Sequence, residues 1–134
     1  MSPAKNSGVK DEAKSVVILM TCGPSIPSRC ASPFFIATLL ASMDAKVHIF
    51  LTMEAVMLAV KGVADELVAV DGGKQLIQFI REAKEAGATI QMCRPALPGF
   101  NIDAEQDLIP EIDGLSSGGV LADLILSCDK VITF

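Results

Sequence analysis

The sequence predicts an α/β protein with a doubly wound parallel sheet, in a flavodoxin-like three-layer α/β/α arrangement and a single domain. Short apolar runs, each bounded by polar residues, glycine or proline, alternate with longer segments of helical periodicity. This alternation is typical of βαβ units, in which parallel strands are joined by helices. A hydrophobic content of 51% over 134 residues is also enough for one sizeable core.

The N-terminal third starts with a tail and continues into a strand and a helix. Residues 1–14 are polar and unpatterned, and we expect a disordered tail followed by a folded domain over residues 15–134. The first strand is predicted at residues 15–21. After a proline-containing loop, Ser32-Pro33 predicts the start of an apolar helix that runs to about residue 44.

The middle of the chain repeats the alternation of strand and helix. A second strand is predicted at residues 46–51, and Thr52 is the expected N-cap of a helix over residues 53–61. Residues 64–70 fit either a short strand or an irregular segment. An amphipathic helix follows at residues 74–86, and Gly87 is its expected C-cap.

The C-terminal third contains a third strand at residues 88–93 and then a loop with two prolines at residues 94–101. A short helix is predicted at residues 103–109. Ser116 or Ser117 is the expected cap of a last helix through residue 127, and a final strand follows at residues 130–134.

Charge and hydropathy exclude several classes of function. The net charge of −5, with basic residues scattered singly, argues against nucleic acid as a partner. No apolar stretch approaches the roughly 20 residues that span a bilayer, and the polar N-terminus lacks a signal-peptide core. We therefore expect a cytoplasmic protein with no membrane partner.

Four cysteines, at positions 22, 30, 93 and 128, are the candidate chemistry of the chain. In a cytosolic protein, cysteines are more often free, redox-active or metal-binding than disulfide-bonded. No C-x-x-C pair occurs, and the only histidine, His48, lies inside a predicted strand. We therefore expect no metal and no cofactor.

Cys93 is the strongest candidate, because it ends a predicted strand and chemistry in parallel α/β sheets gathers at the carboxyl ends of strands. Neighbouring Arg94 and free backbone N–H groups of the next turn would favour its thiolate, which is the nucleophilic form. The alternative is a small buried side chain with no chemical role.

The other cysteines have weaker surroundings. Cys22 follows the first strand, and if strands one and three are neighbours it comes within disulfide reach of Cys93, at a Cα separation of about 4.4–6.8 Å. Cys30 precedes helix one, where either activation by the helix or packing would explain it. Cys128 follows the last helix, whose C-terminal dipole disfavours a thiolate, so we expect a structural role.

With these elements assigned, the chain resembles the DsrE/DsrF-like family of small sulfur-relay proteins over about residues 15–134. The resemblance rests on the opening strand, loop and apolar helix and on the second strand with its helix. It also rests on Gly87-Ala88-Thr89-Ile90-Gln91-Met92-Cys93 and, most recognisably, on the ending Asp129-Lys130-Val131-Ile132-Thr133-Phe134. The loop holding Cys22 and Cys30 and the segment Arg94-Pro95-Ala96-Leu97-Pro98 depart from the DsrE subunit of the reverse sulfite-reductase pathway.

The resemblance implies a sulfur carrier or sulfurtransferase. The family cysteine at the end of the central strand maps onto Cys93, which would accept persulfide or thiosulfonate sulfur and pass it to a TusA-like carrier protein. Arg94 would stabilise the anionic group, and Cys22 or Cys30 would assist or resolve. The resemblance also implies a homo-oligomer, a trimer or a hexamer. Two alternatives stay open: a non-catalytic scaffold subunit, and a peroxidase-like thiol enzyme, although the threonine-proline-cysteine context of the latter is missing.

Overall fold

The computed structural model describes residues 13–134, which form a five-stranded parallel sheet with helices on both faces. The predicted α/β class and single doubly wound parallel sheet are confirmed. The tail predicted to be disordered falls almost wholly on residues 1–12, which lie outside the described residues. The strands are β1 Ser15–Met20, β2 Lys46–Leu51, β3 Thr89–Cys93, β4 Gly114–Ser116 and β5 Lys130–Thr133. The helices are α1 Ala31–Ser42, α2 Val63–Glu66, α3 Leu76–Ala86, α4 Ala96–Gly99 and α5 Gly118–Ser127, with 3₁₀ helices at Pro27–Arg29 and Met53–Ala59.

The strands lie in the order β4-β3-β2-β1-β5, and all are parallel. The chain therefore steps three times in one direction, from β1 to β4, and then crosses back to β5 at the far edge. Because such crossovers are right-handed, the first three connections lie on one face of the sheet and α5 lies on the other. This strand order differs from the 2-1-3-4-5 order of flavodoxin.

The main core lies on the first face, between the sheet and the packed pair α1 and α3. Side chains that alternate along β1, β2 and β3 point into it, as the period of two along a strand requires. These strand residues are Val16, Ile18, Met20, Val47, Ile49, Leu51, Ile90 and Met92. Phe34 and Ala37 of α1 and Leu76, Ile77, Ile80 and Ala83 of α3 cover them.

The second face is part apolar and part polar. Val17 and Phe50 are fully buried there. Towards β3 the face becomes polar: the ring Nδ1 of His48 lies 2.9 Å from the hydroxyl of Thr89. The alternation along β3 then places Gln91 and Cys93 on this same face, opposite the main core.

Several boundaries differ from the sequence-based expectation. Helix α1 begins at Ala31, ahead of the predicted Ser32-Pro33 start, because a 3₁₀ turn leads directly into it and Cys30 already has helical dihedral angles. Strand β1 ends at Met20, two residues before Cys22. The predicted second helix is a 3₁₀ helix that ends at Ala59.

The C-terminal third also contains one wrong expectation and one omission. The helix predicted at residues 103–109 is wrong, because this segment forms turns that are held by the Asp103 and Asp107 side chains. Strand β4 was not predicted, since a three-residue strand is too short to show a period. The expected cap at Ser117, the C-cap at Gly87 and the final strand are confirmed.

Candidate functional site

Cys93 lies at the one place on the carboxyl edge where adjacent strands, β3 and β4, send their connections to opposite faces. The segment after β3 returns to the first face, where Leu97 and Ile109 are buried in the main core. The segment after β4 enters α5 on the second face. Ligands of α/β proteins bind at switch points of this kind. Cys93, a partly exposed free thiol, ends β3 at this position.

Polar residues of β3 and β4 are neighbours of Cys93 in the sheet. Cys93 is paired with Ser116 in the β3–β4 register, and the backbone N–H of Arg94 donates to the Ser116 carbonyl at 3.0 Å. The Ser116 hydroxyl donates to the side-chain oxygen of Gln91. Gln91 and Cys93 are two residues apart on one strand, so they share a face. The site therefore combines the Cys93 thiol with the Ser116 hydroxyl and the Gln91 side-chain amide, which are hydrogen-bonded to each other.

The N-terminus of α5 begins next to this thiol. Ser117 is the N-cap, and its hydroxyl accepts a long hydrogen bond, 3.4 Å, from the N–H of Val120. Helix N-termini carry unpaired N–H groups and a partial positive charge, which stabilise a nearby anion such as a thiolate or a sulfonate. Gly118 and Gly119 leave this end of the helix without bulky side chains. Arg94, an exposed cation, follows the cysteine directly.

The connection after β3 is anchored toward its C-terminal end. Asp113 makes two hydrogen bonds with the Ile90 backbone: its N–H donates to the Ile90 carbonyl and its side-chain carboxylate accepts from the Ile90 N–H, both at 2.7 Å. Lys84 of α3 donates to the same carboxylate. Earlier in the connection, the Ile109 N–H donates to the Ala59 carbonyl. These contacts hold β4, and with it Ser116, in register beside Cys93.

Cys22 and Cys30 come together, away from Cys93. Both are buried in the main core on the first face of the sheet. The Cys22 thiol donates to the Arg29 carbonyl at 3.6 Å and the Cys30 thiol to the Gly23 carbonyl at 3.3 Å. Burial, together with the smaller effects of the neighbouring Cys22 and Glu54, raises the pKa of Cys30 from its ordinary 9.0 to about 12.

The condition for a disulfide between Cys22 and Cys93 is not met, because strands one and three are not neighbours. Strand β2 lies between them, which separates β1 from β3 by about two strand spacings of ~4.8 Å. Cys22 and Cys93 also face opposite sides of the sheet. Cys128 is at the other, amino-terminal edge, where its thiol donates to the Lys130 carbonyl at 3.2 Å.

Gln91 and Ser116 are the site residues that the sequence did not single out as chemistry-bearing. A polar residue inside a β-favouring run, two positions before the cysteine, was the available signal for Gln91. Nothing in the sequence pairs Gln91 with a serine 25 positions later. Within residues 13–134, no three potential ligands cluster closely enough to hold a metal ion, and no helix is long and apolar enough to cross a membrane.

The fold and this site define a single-domain parallel α/β protein with a partly exposed free thiol at a switch point of its sheet. The chain belongs to the DsrE/DsrF-like family, whose match extends over residues 14–134. This confirms the resemblance drawn from the sequence, and the family is generally linked to sulfur relay. No curated protein matches the chain.

Solved structures share the fold. The ychN protein from E. coli superposes with a TM-score of 0.74 at 20% identity, over 90% of this chain and 99% of that one. MTH1491 from Methanobacterium thermoautotrophicum, described as a protein of unknown function, gives 0.63 at 14% identity over 92% and 100%. BT1422 from Bacteroides thetaiotaomicron, likewise of unknown function, gives 0.63 at 17% over 90% and 95%. At these identities the likeness concerns the fold alone.

Proposed function

We propose that this protein is a cytoplasmic sulfur carrier and sulfurtransferase that holds sulfur on Cys93. The observation that supports it most is the position of this thiol at the end of β3, paired with Ser116 of β4 and one residue from the N-cap of α5 in that register. In a transfer from a persulfide donor, the Cys93 thiolate attacks the outer sulfur of R–S–SH. The donor S–S bond breaks, a new S–S bond forms on Cys93, and the electron pair leaves with the thiolate R–S⁻. No external oxidant or reductant is needed.

The surroundings of Cys93 suit anionic sulfur groups. The N–H groups that begin α5 and the Arg94 guanidinium both favour negative charge, whether on a persulfide or on the sulfonate end of a thiosulfonate. With a polythionate donor, attack on a sulfane sulfur releases thiosulfate and leaves a thiosulfonate on Cys93. Unloading is the reverse reaction with a second thiolate, and we propose that a TusA-like carrier protein supplies that thiolate.

We also propose a trimer or hexamer. Phe35, Leu39 and Met43 recur every four residues along α1 and its C-cap, and they are exposed to 49%, 45% and 77%. On the other side of the sheet, Val120 and Leu126 of α5 are exposed to 43% and 86%. Exposed apolar side chains on both faces of the sheet would supply the two kinds of interface that a hexamer of dihedral symmetry uses.

The proposal predicts that Cys93→Ser abolishes sulfur loading and leaves the fold intact, because serine is close in size and cannot form a persulfide. The purified protein is treated with polysulfide or tetrathionate, and intact-mass spectrometry counts the added sulfur. Cys128→Ser is the matched control, since it removes a partly exposed thiol at the opposite edge of the sheet. It should load as the wild type does.

Loading of the Cys93→Ser variant at the wild-type level would refute the carrier role of Cys93. If the wild type itself takes up no sulfur from either donor, the scaffold alternative replaces the proposal. Sulfenic acid formation with turnover of peroxide would favour the thiol-peroxidase alternative instead.

A further inference from the structure

The loop between β1 and α1 brings two thiols together that the proposed sulfur transfer does not need. Cys22 follows β1 and Cys30 is the N-cap residue of α1, and a seven-residue loop joins them. Each sulfur lies against the backbone carbonyl of a residue that adjoins the other cysteine: Cys22 against Arg29 and Cys30 against Gly23. The two side chains therefore lie side by side in one small buried space.

The loop over these thiols is hydrogen-bonded to the segment after β2. The Ser25 N–H and hydroxyl both donate to the Glu54 carboxylate, at 2.9 and 2.6 Å. Gly23 lies so close to Glu54 that an added Cβ would be 2.4 Å from the Glu54 carbonyl oxygen. The residues from Ser25 to Arg29 are exposed, so the loop is a thin cover with solvent on its outer side.

Access favours Cys22 as the thiol that reacts first. Its residue retains 9% exposure, whereas Cys30 has none. When Cys22 has formed a mixed disulfide, Cys30 lies beside an electrophilic sulfur.

We propose that Cys22 and Cys30 are a redox-active pair that a small disulfide such as oxidised glutathione converts into an intramolecular disulfide. The Cys22 thiolate attacks one glutathione sulfur, which breaks the glutathione S–S bond and releases one glutathione thiolate. Cys30 then attacks the Cys22 sulfur and releases the second. The protein loses two electrons and two protons, and oxidised glutathione becomes two reduced glutathiones.

This pair works independently of Cys93, because strand β2 and the opposite faces of the sheet separate the two sites. The disulfide would link Cys30, the N-cap residue of α1, to Cys22, which follows β1. The proposal does not rest on the sulfur transfer, and the variant that tests it lacks Cys93.

The test uses the full chain with Cys93→Ser and Cys128→Ser, equilibrated with glutathione buffers of graded ratio and then acid-quenched. Mass spectrometry should find a species that has lost two hydrogen atoms, with residues 22 and 30 linked and reversal by dithiothreitol. Adding Cys22→Ser or Cys30→Ser to this background should abolish that species. Failure to form it in buffers that oxidise the same variant in urea would overturn the proposal.

A second measurement tests whether the fold brings the Cys22 and Cys30 thiols together, since two cysteines this close in sequence also form a disulfide in the unfolded chain. The equilibrium constant with glutathione should be about tenfold larger in native buffer than in urea, because folding holds the thiols side by side. An equal or smaller constant in native buffer would contradict the proposal. Glu54→Gln, which loosens the cover, should speed oxidation, while Glu85→Gln on the exposed surface of α3 should not.

Discussion

At the scale of single residues, Gly23 has the closest surroundings among the glycines that the structure describes. It has no side chain because the Glu54 backbone and side chain occupy the space where a Cβ would lie, 2.4 and 2.7 Å away. Its backbone conformation is one that other residues adopt, so the constraint is contact and not torsion. The glycine thereby allows the loop over Cys22 and Cys30 to pack against the segment after β2.

We expect Gly23→Ala to destabilise the fold by about 1–3 kcal/mol, the usual cost of forcing atoms into a packed site. Urea unfolding followed by circular dichroism measures the change. Gly99→Ala is the control, because a Cβ there meets nothing within 4 Å. A Gly23→Ala variant as stable as the control would mean that the loop shifts freely away from Glu54.

The raised pKa of Cys30 makes stability depend on alkaline pH. In the folded state the Cys30 thiol keeps its proton up to about pH 12, whereas in the unfolded chain it releases the proton near pH 9.0. The stabilising effect of the neutral thiol is therefore complete below pH 9 and is lost as pH rises from about 9 to 12, by up to about 1.4 kcal/mol per pH unit.

Cys30→Ala removes this group, so the variant should lose less stability than the wild type between pH 8 and about pH 10.5. Parallel urea titrations at the two pH values give the difference. Equal losses in both proteins would show that Cys30 titrates alike in the folded and unfolded chains.

At the scale of elements, the edge strand β5 depends on a carboxylate at its start. Asp129 accepts hydrogen bonds from the Ser15 N–H at 2.8 Å and from its hydroxyl, and its own N–H donates to the Ser15 carbonyl. The hydrogen bond from the Ser15 backbone is the main cause that lowers the pKa of Asp129 below its ordinary 3.8. The same contacts set the register in which β5 adds to β1.

Asp129→Asn should lower stability at neutral pH and remove part of the acid sensitivity. Because the folded-state pKa is depressed, the contribution of the charged carboxylate is present above about pH 3.8 and is lost as pH falls through the lower folded value. The stability difference between wild type and variant should thus shrink from pH 6 to about pH 3. Asp123→Asn, an exposed change on α5, is the control; a difference that stays constant with pH would contradict the assignment.

At the scale of the whole molecule, the proposed oligomer depends on exposed apolar side chains. The 3₁₀ helix Met53–Ala59 offers few of them, since Ala55, Val56, Leu58 and Ala59 are buried inside the chain and Met53 at its start is exposed. We propose the exposed apolar residues of α1 and α5 as the two contact surfaces, one on each face of the sheet.

We expect the wild type to sediment as three or more chains at micromolar concentration, and Leu39→Glu or Leu126→Glu to reduce it to a smaller species. A buried charge at an apolar interface is strongly unfavourable, while each residue is exposed in the single chain. Gln78→Glu on the exposed side of α3 is the control. A wild type with the mass of one chain would refute the oligomer.

The sequence by itself determined the class of fold and the residue at the centre of the proposed site. Apolar runs of strand length, the amphipathic α3 with Gly87 at its end, and Ser117 ahead of α5 are local signals, and each was correct because the physics that sets them is local. The end of β3 at Cys93 belongs to the same group. The relation between strand ends and chemistry then singled out this thiol.

Only the tertiary structure decided which residues meet. Strand order depends on which edges pair across the whole chain, so the insertion of β2 between β1 and β3 could not be read locally, and it separates Cys22 from Cys93. The three-residue β4 exists through its pairing with β3, which brings Ser116 to Cys93 and Gln91. The meeting of Cys22 with Cys30 likewise depends on the contact of their loop with Glu54, a residue of another element.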